Sequence, residues 1–153
     1  MKLWIVLVVF LSFLPMGCEV DPAPDMPPRE DVEVTQGEPY TSPGKVARYI
    51  HLYGELPENY ITKDEAEEKG WVPEEGNLWE VTDEKSIGGD PFMNREGILP
   101  DETGRVYYTA DVNYDGGYRG PERLVYSNDG LIFYTDDHYD TFVQVYPKEE
   151  DDE

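Results

Sequence analysis

The chain has 153 residues, enough for one domain with extensions. It carries 34 acidic against 12 basic residues, a net charge of -22, so its surface repels polyanions and lacks the basic face usual in nucleic-acid binders. A single cysteine excludes an internal disulfide and a cysteine-rich metal site.

The first elements concern export. Met1-Lys2 precedes an apolar run from Leu3 to Leu11, then Ser12-Phe13-Leu14-Pro15-Met16-Gly17-Cys18. A charged start, a short apolar run and a small residue before a break form a secretory signal, assigned to residues 1–17. Leu14 and Gly17 before Cys18 give a loose bacterial lipobox, with lipidated Cys18 as the mature N-terminus; an ordinary cleaved signal is the other reading. The expected location is outside the bacterial cytoplasm, extracellular or tethered to the envelope by that lipid. Residues 18–43 are rich in proline and acids, too poor in apolar side chains to pack, and read as a linker.

From residue 44 the pattern becomes globular. Val46, Ala47, Tyr49, Ile50 and Tyr53 recur at helical spacing, and Gly54 ends that helix. Thr62-Lys63-Asp64-Glu65 is a capping box that opens a second helix, with Gly70 as its stop. A short third helix is expected around Asn77 to Val81. From Arg105 the pattern turns to strands: Val106 to Val112, then Arg123 to Tyr126 and Leu131 to Tyr134 around the hairpin signal Asn128-Asp129-Gly130, and finally Thr141 to Tyr146. Helices first and hairpins after predict an α+β fold, N-terminal helices packed on a C-terminal antiparallel β-sheet. The domain is assigned to residues 44–146 and an acidic tail to 147–153.

Four stretches are distinctive: Leu56 to Lys63, Lys85-Ser86-Ile87-Gly88-Gly89-Asp90, Asn94-Arg95-Glu96-Gly97, and Asp137-His138-Tyr139 with Thr141-Phe142. With Gly76-Asn77-Leu78 and Leu99-Pro100 they lie in an order and spacing that resembles the barnase type of microbial guanyl-preferring ribonuclease, without a gap from Val46 to Tyr146. The resemblance implies an endoribonuclease acting on single-stranded, guanosine-containing RNA, a monomer needing no metal or cofactor. Its reaction is a transphosphorylation. A base takes the 2′-hydroxyl proton, the oxygen attacks phosphorus, and an acid protonates the departing 5′-oxygen, leaving a 2′,3′-cyclic phosphate.

His138 matches the general acid of that family, and an imidazole titrates near neutrality. The other histidine, His51, falls on the first helix and is read as structural. Arg119 and Arg123 match the phosphate-holding arginines; a surface pair bound to Asp111 or Glu122 is compatible with that role. Lys63 matches a supporting lysine. Asn94, Arg95 and Glu96 match the guanine-reading loop, with Phe92 and Tyr139 as apolar walls; a Glu96 carboxylate can accept both guanine N–H donors. Lys63, Arg95, Arg119 and Arg123 are four of the domain's nine basic residues, so a local cationic funnel is expected inside a repulsive field.

One position departs from the pattern. Where the family carries its general-base glutamate, this chain has Thr109, whose hydroxyl cannot hold a proton near neutrality as a carboxylate does. Loss of a positioned base costs on the order of 10²–10⁴ in rate. Two substitutes are open: Asp90, after Gly88-Gly89, or His138 acting as both base and acid. The competing reading is a non-catalytic relative that binds RNA or a barstar-like inhibitor protein.

Overall fold

The computed structural model describes residues 32–147. The expected signal sequence, Cys18, most of the expected linker and the acidic tail beyond Pro147 lie outside the described residues.

Helix α1 spans Pro43–Tyr53. Proline suits its first turn because φ is already helical and the missing N–H has no intrahelical partner to lose. Gly54 closes the helix at φ 67°, and its N–H donates to the Ile50 carbonyl at 2.8 Å. After a two-residue strand, β1 (Tyr60–Ile61), comes α2 (Lys63–Glu68). Its capping box is complete: the Glu65 N–H donates to Thr62 Oγ1 at 3.3 Å and the Thr62 N–H to Glu65 Oε2 at 2.8 Å. The short helix α3 covers Leu78–Val81. Asn77, just before it, stitches the preceding turn instead, accepting from the Val72 N–H and donating to the Gly70 carbonyl.

Five more strands follow: β2 (Ser86–Phe92), β3 (Tyr107–Asp111), β4 (Arg123–Ser127), β5 (Ile132–Thr135) and β6 (Val143–Tyr146). The six strands lie in chain order, with β1 parallel to β2 and every later pair antiparallel. The α+β expectation holds. β1 and β2 lie where the sequence pattern predicts no element.

Register assigns the two faces of the sheet, because directly opposed residues share a face. Ala110, Leu124 and Tyr134 are aligned across β3, β4 and β5, and Leu124 and Tyr134 belong to the cluster built on Val46, Ala47 and Ile50 of α1. Thr109, Val125 and Phe133 form the neighbouring row and therefore face the other way. On that face Leu99, Tyr107, Val125 and Phe133 make a second core.

The end of the proline-rich segment is fastened to the domain. Tyr40 and Asn59 exchange hydrogen bonds at 3.2 and 2.9 Å, the Gly37 N–H donates to the Tyr49 hydroxyl, and the Asn113 N–H donates to the Thr41 carbonyl at 2.7 Å.

Candidate active site

The floor of the site is a row of side chains across the face turned away from α1, most of them buried. Asp90 on β2 is paired with Thr109 on β3, and Thr109 with Val125 on β4. One step along, Asp111 is paired with Arg123, and Arg123 with Thr135. A register shift between Gly88 and Asp90 marks a bulge, with Gly89 at φ 94°, a conformation that glycine adopts without penalty. Bulges re-aim side chains, and this one sets where Asp90 meets β3.

Asp111 is only 2% exposed and serves two cations. Arg119 donates from Nε and Nη2 to its two oxygens at 2.7 Å each. Arg123 Nε lies 3.0 Å from Asp111 Oδ1, an ion pair in which the N–H does not line up as a hydrogen bond. Arg123 Nη1 donates instead to the carbonyls of Gly120 and Glu122 at 2.6 and 2.8 Å. Burial works against charge on Arg119, yet the hydrogen bond and attraction of Asp111 outweigh it and hold the guanidinium above its ordinary pKa. Tyr139 and Asp90 add to that field, which places both near Arg119. Two guanidinium groups over one carboxylate leave a surplus positive charge, oriented in advance for a phosphate.

Asp111 is itself held from behind. The Tyr60 hydroxyl donates to its carbonyl at 2.6 Å, and burial, with the Asp111 charge and Tyr126 adding, pushes the Tyr60 phenol far above its ordinary range.

His138 and Tyr139 stand on the loop after β5, both in the left-handed region at φ 55° and 73°. Such backbone is unfavourable for residues with side chains and persists where surrounding bonds impose it. Here Asp137 imposes it. Its carboxylate accepts from the hydroxyls of Thr135 and Thr141 and from the Thr141 N–H, while the Tyr139 N–H donates to Thr135 Oγ1. The Thr141 hydroxyl, then the Thr141 N–H, bring the Asp137 carboxyl down to about 2. The His138 N–H donates to the Pro121 carbonyl at 3.3 Å, which ties this loop to the segment carrying Arg119 and Arg123. His138 is exposed, and its ring lies edge-on to Tyr139.

A cavity of about 400 Å³ lies beside His138. Phe92, Asn94, Arg95, Glu96 and Tyr139 line it, joined by Met93, Ile98 and Phe142. Phe92 and Tyr139 are stacked on one another at 5.2 Å, so a planar ligand would lie over this pair rather than between its rings. Asn94, at φ 49°, uses its amide on the loop itself: Nδ2 donates to the Leu99 carbonyl at 2.9 Å and Oδ1 accepts from the Leu99 N–H. Its part is to shape the loop. Glu96 and Arg95 are exposed and, among the described residues, make no side-chain hydrogen bond or ion pair.

The fold thus brings the sequence-selected residues onto one face, in two adjoining groups. His138 and the loop Phe92 to Glu96 surround the cavity, while Thr109, Arg119, Arg123 and Asp90 form the floor next to it. Lys63 joins through its backbone, its N–H donating to Asp90 Oδ2 at 3.1 Å. His51 lies elsewhere, stacked on Tyr146 at 4.2 Å. Sequence reading missed the roles of Asp137 and Tyr60; the pattern Thr135-x-Asp137 with Thr141 was the available signal for the first.

Comparison with known proteins agrees with this geometry. Residues 44–146 match the model of the ribonuclease family. A ribonuclease of Heyndrickxia coagulans is 55% identical over 100 residues, 65% of this chain and 92% of that protein. A ribonuclease of Bacillus intermedius is 55% identical over 100 residues, and the match spans only 62% of its length. Guanyl-specific ribonuclease St of Saccharopolyspora erythraea is 46% identical over 55 residues, 35% of this chain and 54% of that one. With a family match over most of its length and two such relatives, the chain belongs to the ribonuclease family of the barnase type.

Proposed function

We propose that the protein is an exported endoribonuclease that cleaves single-stranded RNA after guanosine by transphosphorylation, leaving a 2′,3′-cyclic phosphate. The observation that carries this reading is the pair Arg119 and Arg123 on Asp111, on the segment to which the His138 N–H is bonded through the Pro121 carbonyl, with His138 lining a base-sized cavity. The arginines hold the phosphoryl oxygens as charge grows on them. His138 gives its proton to the departing 5′-oxygen. Glu96 accepts the N1 and N2 protons of guanine while Arg95 and loop amides serve its O6. Lys63 adds positive charge at the edge. Lipidation of Cys18 would keep the enzyme at the envelope surface, within reach of extracellular RNA.

The test is a set of four dinucleoside phosphates that differ in the 5′ base, incubated with the full chain. Cleavage confined to the guanosine member, and reduced on the order of 10²-fold or more in His138→Ala, supports the reading. Equal cleavage of all four contradicts the guanine assignment. One observation favours a second reading: Thr109 stands at the family's base position, which suits a non-catalytic protein that binds RNA or a barstar-like inhibitor. RNA binding without cleavage would select it.

A further inference from the structure

We infer that Asp90 is the general base of this enzyme, a carboxylate supplied from β2 in place of the one that Thr109 lacks on β3. The inference rests on the ribonuclease reading above and assigns the missing catalytic group of the same site.

Asp90 and Thr109 are register partners on adjacent strands, on the face that carries Asp111 and Arg123. Cross-strand partners have β-carbons about 5 Å apart, so the carboxylate lies within direct or one-water reach of the space beside Thr109. Thr109 is short and buried and, among the described residues, its hydroxyl makes no hydrogen bond. Asp90 also adds to the charge field on Arg119.

The other carboxylates of the site have work already. Asp111 is clamped by two arginines, and Asp137 accepts three hydrogen bonds within its loop. Glu122 accepts from Asn113 Nδ2 and the Tyr134 hydroxyl. Glu96 and Asp140 line the cavity, where the base would sit. Glu122 also has one oxygen without a hydrogen bond, but its other oxygen holds it to Tyr134 of the α1-facing cluster. On the face of Thr109, Asp90 has Oδ2 anchored on the Lys63 N–H at 3.1 Å and its second oxygen without a hydrogen bond among the described residues. An anchored carboxylate with one free oxygen is oriented and still able to take a proton.

The step balances. The free oxygen of Asp90 takes the 2′-hydroxyl proton as the O2′–P bond forms. The P–O5′ bond breaks and O5′ takes its proton from His138. The products are the cyclic phosphate, a 5′-hydroxyl, a protonated Asp90 and a neutral His138, and exchange with water resets both groups.

The experiment compares the full chain with Asp90→Asn, Thr109→Glu, and Asp90→Asn combined with Thr109→Glu, on a guanosine dinucleoside phosphate across pH 3 to 9. Asparagine keeps an acceptor for the Lys63 N–H, and circular dichroism and thermal melts check that each variant folds. Expected is a fall in kcat/KM on the order of 10²-fold or more in Asp90→Asn, recovered in the double variant. The wild-type profile should show an acid limb that disappears in Asp90→Asn. Activity within threefold of wild type, with the acid limb intact, overturns Asp90 as base and leaves His138 serving twice, with the ribonuclease reading standing. A silent wild type with an active Thr109→Glu also overturns it, since the native site then has no base. Silence from every folded variant, Thr109→Glu included, brings down the ribonuclease reading and this inference with it.

Discussion

Arg119 meets both oxygens of Asp111 at 2.7 Å, and Arg123 approaches the same carboxylate at 3.0 Å. One buried anion therefore organises two cations on adjoining segments, and a third element, β1, supports it through Tyr60. The proposed phosphate site and the packing of this domain depend on the same side chain.

Asp111→Asn should for that reason be costly in both respects. Arg123 is 3% exposed and would keep its charge with no counter-ion, a loss of about 3–5 kcal/mol for a broken buried pair. Urea unfolding measures it. A loss below about 1 kcal/mol would mean that the pair breaks even against its desolvation.

Tyr60 gives a milder case of the same support. Tyr60→Phe removes one hydroxyl donor from the Asp111 carbonyl and should cost about 1 kcal/mol. Gly88→Ala should cost more, about 1–3 kcal/mol, because a β-carbon there would come within 2.6 Å of the Tyr60 ring and drive it off its partner. Thermal denaturation of the two variants ranks them; the reverse order would contradict the packing argument.

Asp137 predicts a pH signature. Its carboxyl is held at about 2 in the fold against an ordinary 3.8, so its contribution to stability is complete above about pH 4 and is lost as pH falls through 2. The difference in stability between wild type and Asp137→Asn should therefore be constant near neutrality and shrink on acidification. The same variant loosens the left-handed turn that presents His138, and kcat/KM should fall on the order of 10-fold or more as that ring moves. Unchanged kcat/KM would show that the loop holds its shape without the carboxylate.

How much of this was visible in the sequence varies by element. The first helix, the capping box at Thr62 and Glu65 and the hairpin at Asn128-Asp129-Gly130 are local devices, written in side chains next to the backbone they control. Strand β2 is different: Ser86-Ile87-Gly88-Gly89-Asp90-Pro91-Phe92 has two glycines, a proline and no alternation, and is a strand because β1 and β3 pair with it on both sides. Its chemistry could be read from the resemblance, its conformation could not. Thr109 was legible as a missing glutamate, but that Asp90 lies directly across from it is a matter of register. Asn94 was read as a guanine contact, and the structure commits its side-chain amide to Leu99.

The charge distribution predicts a shallow salt dependence. At most four cations, Lys63, Arg95, Arg119 and Arg123, face RNA, and two of these share a carboxylate. At about 0.7 per neutralised phosphate on a single strand, the slope of log affinity against log salt should be no steeper than about -3. Fluorescence titration of a short guanosine-containing oligonucleotide with His138→Ala, at several salt concentrations, measures it. A steeper slope would mean a cationic surface beyond this site.

The most direct measurement is the chemical identity of the product. Phosphorus NMR of a guanosine dinucleoside phosphate incubated with the full chain would follow the 2′,3′-cyclic phosphate as it forms. The cyclic-phosphate signal is expected first, at a rate that collapses in His138→Ala and in Asp90→Asn. A substrate signal that stays unchanged, from folded protein that still binds the oligonucleotide, would contradict it and leave a binding protein on a ribonuclease scaffold.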